Sequence, residues 1–118
     1  MPHPHKKRRI LEFFTIYNTI TGSYFVNKSQ RPAVSARHQF HRAFKPERED
    51  YNCDFYQDIR KYGEDAFMVC YSLEMPEWAE CRAHYVKKEN VEENVLEEIK
   101  KMRTEPTPCE SQRSKYVD

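Results

Sequence analysis

Arg37 and His41 are the two side chains of this sequence best placed to hold a phosphate group. They are four residues apart, so on a helix they lie one turn apart on the same side. They border an apolar stripe, and we expect them to point out of a cleft floor and away from the core. A guanidinium group can hold two phosphate oxygens in a fork of hydrogen bonds, and this binding requires no catalysis.

Positive charge is concentrated in the first part of the 118-residue chain, whose net charge is +1. Residues 1–44 carry eight basic residues against Glu12 alone, which is +7, and residues 45–118 carry twelve basic against eighteen acidic residues, which is −6. A basic half predicts a polyanionic partner such as nucleic acid. The alternative is that the acidic half folds against the basic one. The side chains expected to contact nucleic acid are Lys6, Lys7, Arg8, Arg9, Lys28, Arg31, Arg37, His41 and Arg82.

Several protein classes do not fit the sequence. The cysteines, Cys53, Cys70, Cys81 and Cys109, form no C-x-x-C pair and no zinc-ligand spacing with histidine. With no secretion signal before them, we expect reduced, mostly buried thiols and no disulfides. The sequence contains no run of eighteen apolar residues, the length that a bilayer crossing needs. The sequence therefore predicts no metal, no other cofactor and no membrane contact, with the cytoplasm as the default location and an organellar matrix not excluded.

The apolar patterns predict one α/β domain over residues 10–103, between a basic arm of residues 1–9 and an extended tail of residues 104–118. Residues 10–19 and 24–27 predict the strands of a hairpin around a turn at Gly22. Pro32 suits the first turn of a helix that runs to about Phe44. The core face of this helix is predicted to be Ala33, Ala36, Phe40 and Phe44.

The second half of the domain is predicted to add two helices and a strand. Asp54 is a favourable N-cap and Gly63 a favourable C-terminal residue for a short helix. The apolar run of residues 66–73 predicts a third and central strand. Pro76 opens a last helix, which either continues unbroken or kinks near Asn90. Its apolar stripe is Trp78, Cys81 or Arg82, Tyr85, Val86, Val91, Val95, Ile99 and Met102. The order β-β-α-α-β-α predicts a small three-stranded sheet with packed helices.

The ordered set of local phrases resembles the GIY-YIG endonuclease superfamily, especially its phage-type homing enzymes, over about residues 10–90. The polar turn of residues 18–23, the spacing of Arg37 and His41, and above all residues 58–67 carry the resemblance. It implies a GIY-YIG-like fold. It also implies phosphodiester cleavage with one divalent metal held by a Glu, a tyrosine hydroxyl that helps activate water, and an Arg that stabilises charge on the phosphate.

The catalytic positions depart from the family pattern. Anchoring on the polar turn places both family tyrosines at phenylalanines, Phe14 and Phe25, and the metal-binding Glu at Arg82. A phenylalanine has no proton to exchange, and an arginine repels a divalent cation. A shorter hairpin gives a second alignment, which restores the hydroxyls as Tyr17 and Tyr24 and leaves Glu80 as the nearest carboxylate.

Three functions follow as hypotheses. The preferred one is a catalytically inactive domain that binds nucleic acid, either DNA or structured RNA such as the surface of a ribosome or another large ribonucleoprotein assembly, through the arm and an Arg-lined cleft. Exposed aromatics such as Tyr17, Tyr24 or Tyr56 could then stack on bases, or else pack in the core. The second is an active Mg-dependent endonuclease with Tyr17, Tyr24, Arg37, His41 and Glu80. The third is a protein-binding subunit or inhibitor that uses the apolar stripe of residues 89–103.

Overall fold

The computed structural model describes residues 11–105, which form an α/β domain with a four-stranded antiparallel sheet and three helices. The elements in chain order are β1 (Glu12–Asn18), β2 (Tyr24–Ser29), α1 (Pro32–Arg42), α2 (Asp54–Tyr62), β3 (Phe67–Ser72), β4 (Tyr85–Val86) and α3 (Glu93–Lys101). The predicted arm, and the predicted tail from residue 106 onward, lie outside the described residues.

The predicted hairpin is confirmed, and it builds the middle of the sheet. The strand order is β3-β1-β2-β4, and Tyr17 of β1 pairs with Tyr24 of β2. The side-chain oxygen of Asn18 accepts hydrogen bonds from the backbone of Ile20 (2.9 Å) and Thr21 (3.2 Å), which holds the connecting turn. An asparagine that bonds to its own following backbone is a common way to fix such a turn.

β3 lies at one edge of the sheet, so the prediction of a central strand is wrong. Its run of apolar residues has another cause, because core clusters lie on both of its faces, one containing Tyr71 and the other Cys70. The outer edge is closed in part by the chain after α3, where the carbonyl of Arg103 accepts the backbone N–H of Tyr71 at 2.8 Å. A strand covered on both faces is apolar throughout, whether or not it is central.

Strand side chains alternate between the two sides of the sheet. One side packs against α1 and α2, and we call it the α1 side; its buried residues include Phe14, Ile16, Phe25, Phe40 and Ile59. The other packs against α3, and we call it the α3 side; its buried residues include Tyr17, Tyr24, Val26, Cys70, Val95 and Ile99. A charged side chain on α1 and a tyrosine on the α3 side are therefore separated by the sheet.

The helix predicted to begin at Pro76 does not form there, which is the largest error of the sequence prediction. Residues 76–84 contain no regular helix, Tyr85–Val86 form β4, and α3 begins at Glu93. Trp78 packs on the α3 side and Tyr85 on the α1 side, so their spacing does not mark one helical face. Ala83 adopts a positive φ of 69°, which a helix does not allow, and donates its N–H to Val26 at 2.7 Å. The additional strand makes the sheet four-stranded.

The two helices before β3 begin and end close to the predicted residues. Pro32 opens α1 and Ala36 and Phe40 are buried as predicted, but Phe44 is 52% exposed, so its assignment to the core face is wrong. α1 ends at Arg42, and the following turn, in which the N–H of Phe44 donates to the carbonyl of His41 at 3.1 Å, carries Phe44 out of the stripe. The N-cap of α2 is Cys53, one residue before the predicted Asp54.

The described cysteines are free, and their burial differs. Cys70 is buried, Cys81 is half-buried and Cys53 is exposed, so the expectation of mostly buried thiols holds for Cys70 and fails for Cys53. None of the helices within residues 11–105 combines the length and the apolar composition that a bilayer crossing would need.

Candidate nucleic-acid interface

The outward face of α1 is basic and exposed. Arg37, His38 and His41 are exposed, whereas Ala36 and Phe40 of the same helix are buried. Lys45, exposed in the turn that follows the helix, comes one further turn along after His41. We call Arg37, His38, His41 and Lys45 the α1 surface. Cations near the C-terminus of a helix are also stabilised by its dipole.

The nearest acidic residues along the chain, Glu47, Glu49 and Asp50, come after the α1 surface. Residues 13–46 contain no Asp or Glu. The ion pairs among residues 11–105 join Arg48 to Asp50, Lys87 to Asp58, Lys88 to Glu80 and Arg103 to Glu12, and none uses a cation of the α1 surface. The α1 surface therefore presents positive charge that an added polyanion can neutralise.

α3, on the other side of the sheet, has the opposite charge at its N-terminal end. Residues 89–99 carry Glu89, Glu92, Glu93, Glu97 and Glu98, all exposed, and no Lys or Arg. The acidic side chains of residues 89–99 and the cations of the α1 surface therefore lie on opposite sides of the sheet.

The other predicted cations are spread over the molecule. Arg31 is exposed at the N-cap of α1, at the end of the helix opposite Lys45. Lys28 reaches over the ring of Phe13 at 5.6 Å, on the α3 side. The predicted contacts Lys6, Lys7, Arg8 and Arg9 lie outside the described residues. The structure thus places Arg37 and His41 on one surface, Arg31 at its far end and Lys28 on the opposite side.

Arg82 does not join Arg37 in one cleft. Burial raises the pKa of Tyr71 in β3, and the nearby Arg37 cation opposes that rise, so Arg37 lies toward the β3 edge of the sheet. Arg82 is exposed beside Ala83, whose N–H bonds to β2 at the β4 edge. Three strand spacings, about 14 Å, separate the two edge strands.

Phenylalanines occupy the positions that the family resemblance assigns to tyrosines, and they fill the α1 side of the sheet. The Phe14 and Phe25 rings lie 6.2 Å apart. Phe25 stacks on Phe55 of α2 at 4.9 Å, and Phe55 stacks on Tyr85 of β4 at 4.8 Å. The resulting column of rings joins β1 and β2 to α2 and β4 on the α1 side of the sheet.

The hydroxyl of Tyr85, at the end of this column, is held by polar groups. It donates to the Asp58 carboxylate at 2.8 Å, and the Lys87 ammonium lies 3.3 Å from the same oxygen. Burial raises the pKa of Tyr85 well above its ordinary value. These contacts join β4 to α2 and leave the hydroxyl neutral, which suits a structural role.

The tyrosines of the second alignment lie on the α3 side. Tyr17 and Tyr24 are 1% and 2% exposed, and the Tyr24 ring meets Trp78 edge-on at 5.1 Å. The backbone N–H of Glu80 donates to the Tyr24 hydroxyl at 2.9 Å, while the Glu80 carboxylate pairs with Lys88 at 2.8 Å. Burial raises the pKa of both tyrosines. They adjoin a small pocket lined by Tyr17, Gly22, Tyr24, Trp78, Lys88, Glu92 and Val95.

The structure therefore divides the residues of the endonuclease hypothesis into two groups. Tyr17, Tyr24 and Glu80 come together on the α3 side, while Arg37 and His41 lie on the helix that covers the α1 side. Within residues 11–105, no three His, Cys, Asp or Glu side chains are grouped in a way that could hold a metal ion. The aromatics proposed for base stacking, Tyr17, Tyr24 and Tyr56, are all buried in the core.

The sequence analysis did not assign a binding role to two members of the α1 surface, His38 and Lys45, or to the exposed Phe44 between them. His38 and Lys45 could have been found by noting that the whole segment of residues 13–46 lacks acidic residues. Phe44 could not, because its spacing from Phe40 is also the spacing of a core residue.

Comparisons with protein-family models, with curated proteins and with solved structures find no match for this chain.

Proposed function

We propose that this protein binds nucleic acid without cleaving it, through the α1 surface. The observation that supports this most strongly is the group of exposed cations formed by Arg37, His38 and His41 of α1 and Lys45 after it, within residues 13–46, which contain no acidic residue. Backbone phosphates are recognised by such groups of Lys, Arg and His without reading of sequence. RNA, including a ribonucleoprotein surface, and DNA both present this chemistry.

The proposal treats the domain as a degenerate member of the GIY-YIG type. Phe14 and Phe25, at the positions of the family tyrosines, are packed into a ring column and offer no hydroxyl. The alternative tyrosines are on the side of the sheet away from Arg37. A site arranged in this way can hold a phosphate, and it lacks the tyrosine hydroxyl that the family resemblance expects beside the arginine.

The protein-binding hypothesis receives less support. Its basis was the apolar stripe of residues 89–103, and that stripe covers the sheet, with Val95 and Ile99 buried and Val91 and Met102 packed beside them. The exposed part of α3 is acidic, which does not favour a polyanion on that side.

The test compares two arginines in the full chain. Binding of a labelled 20-nucleotide RNA or DNA is followed by fluorescence anisotropy over a range of salt concentrations. Arg37→Ala is expected to weaken binding about tenfold and to lower the slope of log K against log salt by about 0.7–0.9, as for one lost phosphate contact. Arg82→Ala, which removes another exposed arginine at the other edge of the sheet, is the matched control. It is expected to change the affinity by less than about twofold and to leave the salt slope unchanged.

Three outcomes contradict the proposal. Wild-type protein that binds neither nucleic acid rejects it outright. An affinity unchanged by salt rejects phosphate contact, since counterion release must weaken such binding. Plasmid nicking in Mg²⁺ that Arg37→Ala abolishes would show a nuclease.

A further inference from the structure

Phe44 is the exposed aromatic side chain nearest to the α1 surface. It is 52% exposed, although it sits among cations and next to a well-packed core. Its neighbour Ala43 is fully buried, and the Ala43 carbonyl accepts a hydrogen bond from the Arg60 guanidinium. That guanidinium lies 3.8 Å from the ring centre of Tyr51, which holds it in place. The N–H of Phe44 is bonded to His41. The ring is therefore presented to solvent by a fixed backbone.

The surroundings of Phe44 restrict what could cover it. His41 precedes it by one turn and Lys45 follows it directly, and the first acidic residue after it is Glu47. A ligand that fits must offer both negative charge and a flat apolar face. Nucleic acid offers both, but a duplex keeps its base faces stacked inside, whereas a single strand exposes them.

We propose that the α1 surface takes single-stranded nucleic acid, with Phe44 stacking on an unpaired base while Arg37 and His41 contact neighbouring phosphates. This inference rests on the proposed function and adds the class of strand. Arg37 lies in α1 and Phe44 two residues beyond its end, so the surface holds a short stretch of strand. Stacking on an aromatic ring is tolerant of sequence, because every base has a flat face.

The test uses the full chain with two probes of equal phosphate number, a single-stranded oligonucleotide and a blunt duplex. Phe44→Ala is expected to weaken binding of the single strand by about 5- to 100-fold, the range of one base–aromatic stack, and to leave duplex binding within twofold. Its salt slope should stay that of the wild type, because no charge is removed. Phe44→Trp should keep the affinity, and Phe44→Leu, which is apolar but not flat, should lose most of it.

Leu73→Ala is the matched control. Leu73 is 59% exposed and lies after β3, so its removal takes away similar apolar surface outside the α1 surface and is expected to leave both affinities unchanged. A second readout is the indole fluorescence of Phe44→Trp. After subtraction of the Trp78 signal measured in the wild type, it should be quenched by the single strand and not by the duplex.

The outcomes separate this inference from the proposed function. If Arg37→Ala weakens binding while Phe44→Ala changes nothing, or weakens both probes equally, nucleic-acid binding stands and the single-strand inference falls. If neither probe binds the wild type, the proposed function itself falls. Binding to vesicles rich in anionic lipid that requires Phe44, with no preference for the single strand, would assign the ring to a membrane surface and overturn the inference.

Discussion

Phe25 of β2 stacks on Phe55 of α2, with ring centroids 4.9 Å apart and ring planes 19° from parallel. Phe55 continues the stack to Tyr85 of β4, so one column of rings joins three elements on the α1 side of the sheet. The family resemblance assigns a catalytic tyrosine to the position of Phe25. The aromatic ring at that position is therefore used for packing against another ring.

Restoring the two hydroxyls is expected not to restore a nuclease. The double variant Phe14→Tyr/Phe25→Tyr should show no Mg-dependent plasmid nicking, and each new hydroxyl should lower the free energy of unfolding by about 1–3 kcal/mol, because it enters a packed aromatic core. Urea unfolding measures the loss. Phe44→Tyr adds the same hydroxyl at an exposed position and should change stability by less than about 0.5 kcal/mol. Nicking by the double variant would mean that the two hydroxyls were all that the wild-type site lacked for cleavage.

The elements that the sequence predicted well are those in which local signals agree. The hairpin has strand-forming residues on both sides of a turn that Asn18 and Gly22 favour, and α1 begins at a proline with Ala36 and Phe40 at core spacing. The outward direction of Arg37 and His41 follows from that spacing. None of these predictions depends on a distant part of the chain.

The wrong predictions fall where contacts between residues distant in the sequence determine the local structure. Trp78 and Tyr85 have helical spacing, yet Trp78 packs against Tyr24 and Tyr85 against Phe55, on opposite sides of the sheet. Spacing identifies residues that will be buried, but it does not show whether one face or two will bury them. The prediction that Phe44 is buried fails for a related reason, since the apolar spacing continues past Arg42, where the helix ends.

The glycine at position 22 is required by a close backbone contact. It has a φ of +85°, and a Cβ built there would lie 2.5 Å from the carbonyl oxygen of Asn90. Gly63 has a similar φ of +89°, with nothing within 4 Å of such a Cβ. Both Gly→Ala variants should be destabilised by their backbone conformation, about 1–3 kcal/mol, and Gly22→Ala should lose at least about 1 kcal/mol more. Equal losses in urea unfolding would mean that the Asn90 contact relaxes without cost.

Cys70 should make the fold sensitive to alkaline pH. Burial raises the pKa of its thiol from 9.0 to about 12. The unfolded chain therefore loses this proton first, so the stability contributed by the protonated thiol is complete below about pH 9 and is lost as pH rises toward 12. Unfolding free energies measured from pH 8 to 11 should fall, and Cys70→Ala should make that fall shallower whatever its own stability at pH 8. Cys53→Ala, at an exposed thiol, should leave the slope unchanged.

Thiol reactivity gives a second measurement on the same pair. In the native protein at pH 8, Cys53 should react with a disulfide reagent within minutes, while Cys70 should react only as the protein unfolds, because the thiolate is the reacting form and burial disfavours it. The Cys53→Ala variant should therefore have one rapidly reacting thiol fewer than the wild type, and Cys70→Ala should have the same number as the wild type. A fast equivalent lost in Cys70→Ala would contradict the burial of this side chain.

The ion pair between Glu12 and Arg103 should couple the start of the sheet to the end of α3. Glu12 is fully buried in β1, and Arg103, which is partly exposed, also bonds through its carbonyl to β3. Arg103→Met keeps much of the side-chain length and removes the charge next to the buried carboxylate. We expect a loss of about 1–3 kcal/mol, smaller than for a fully buried pair because water screens the guanidinium.

A double-mutant cycle isolates the charge interaction from the packing of the two side chains. Glu12→Gln removes the carboxylate charge in place, so the added effect of Arg103→Met should be smaller in that background than in the wild type by about 1 kcal/mol or more. The control is Arg48→Met, at the pair with Asp50 in which both side chains are partly exposed, for which the loss should be smaller than for Arg103→Met. Strictly additive losses at Glu12 and Arg103 would show that the pair contributes no coupling to the fold.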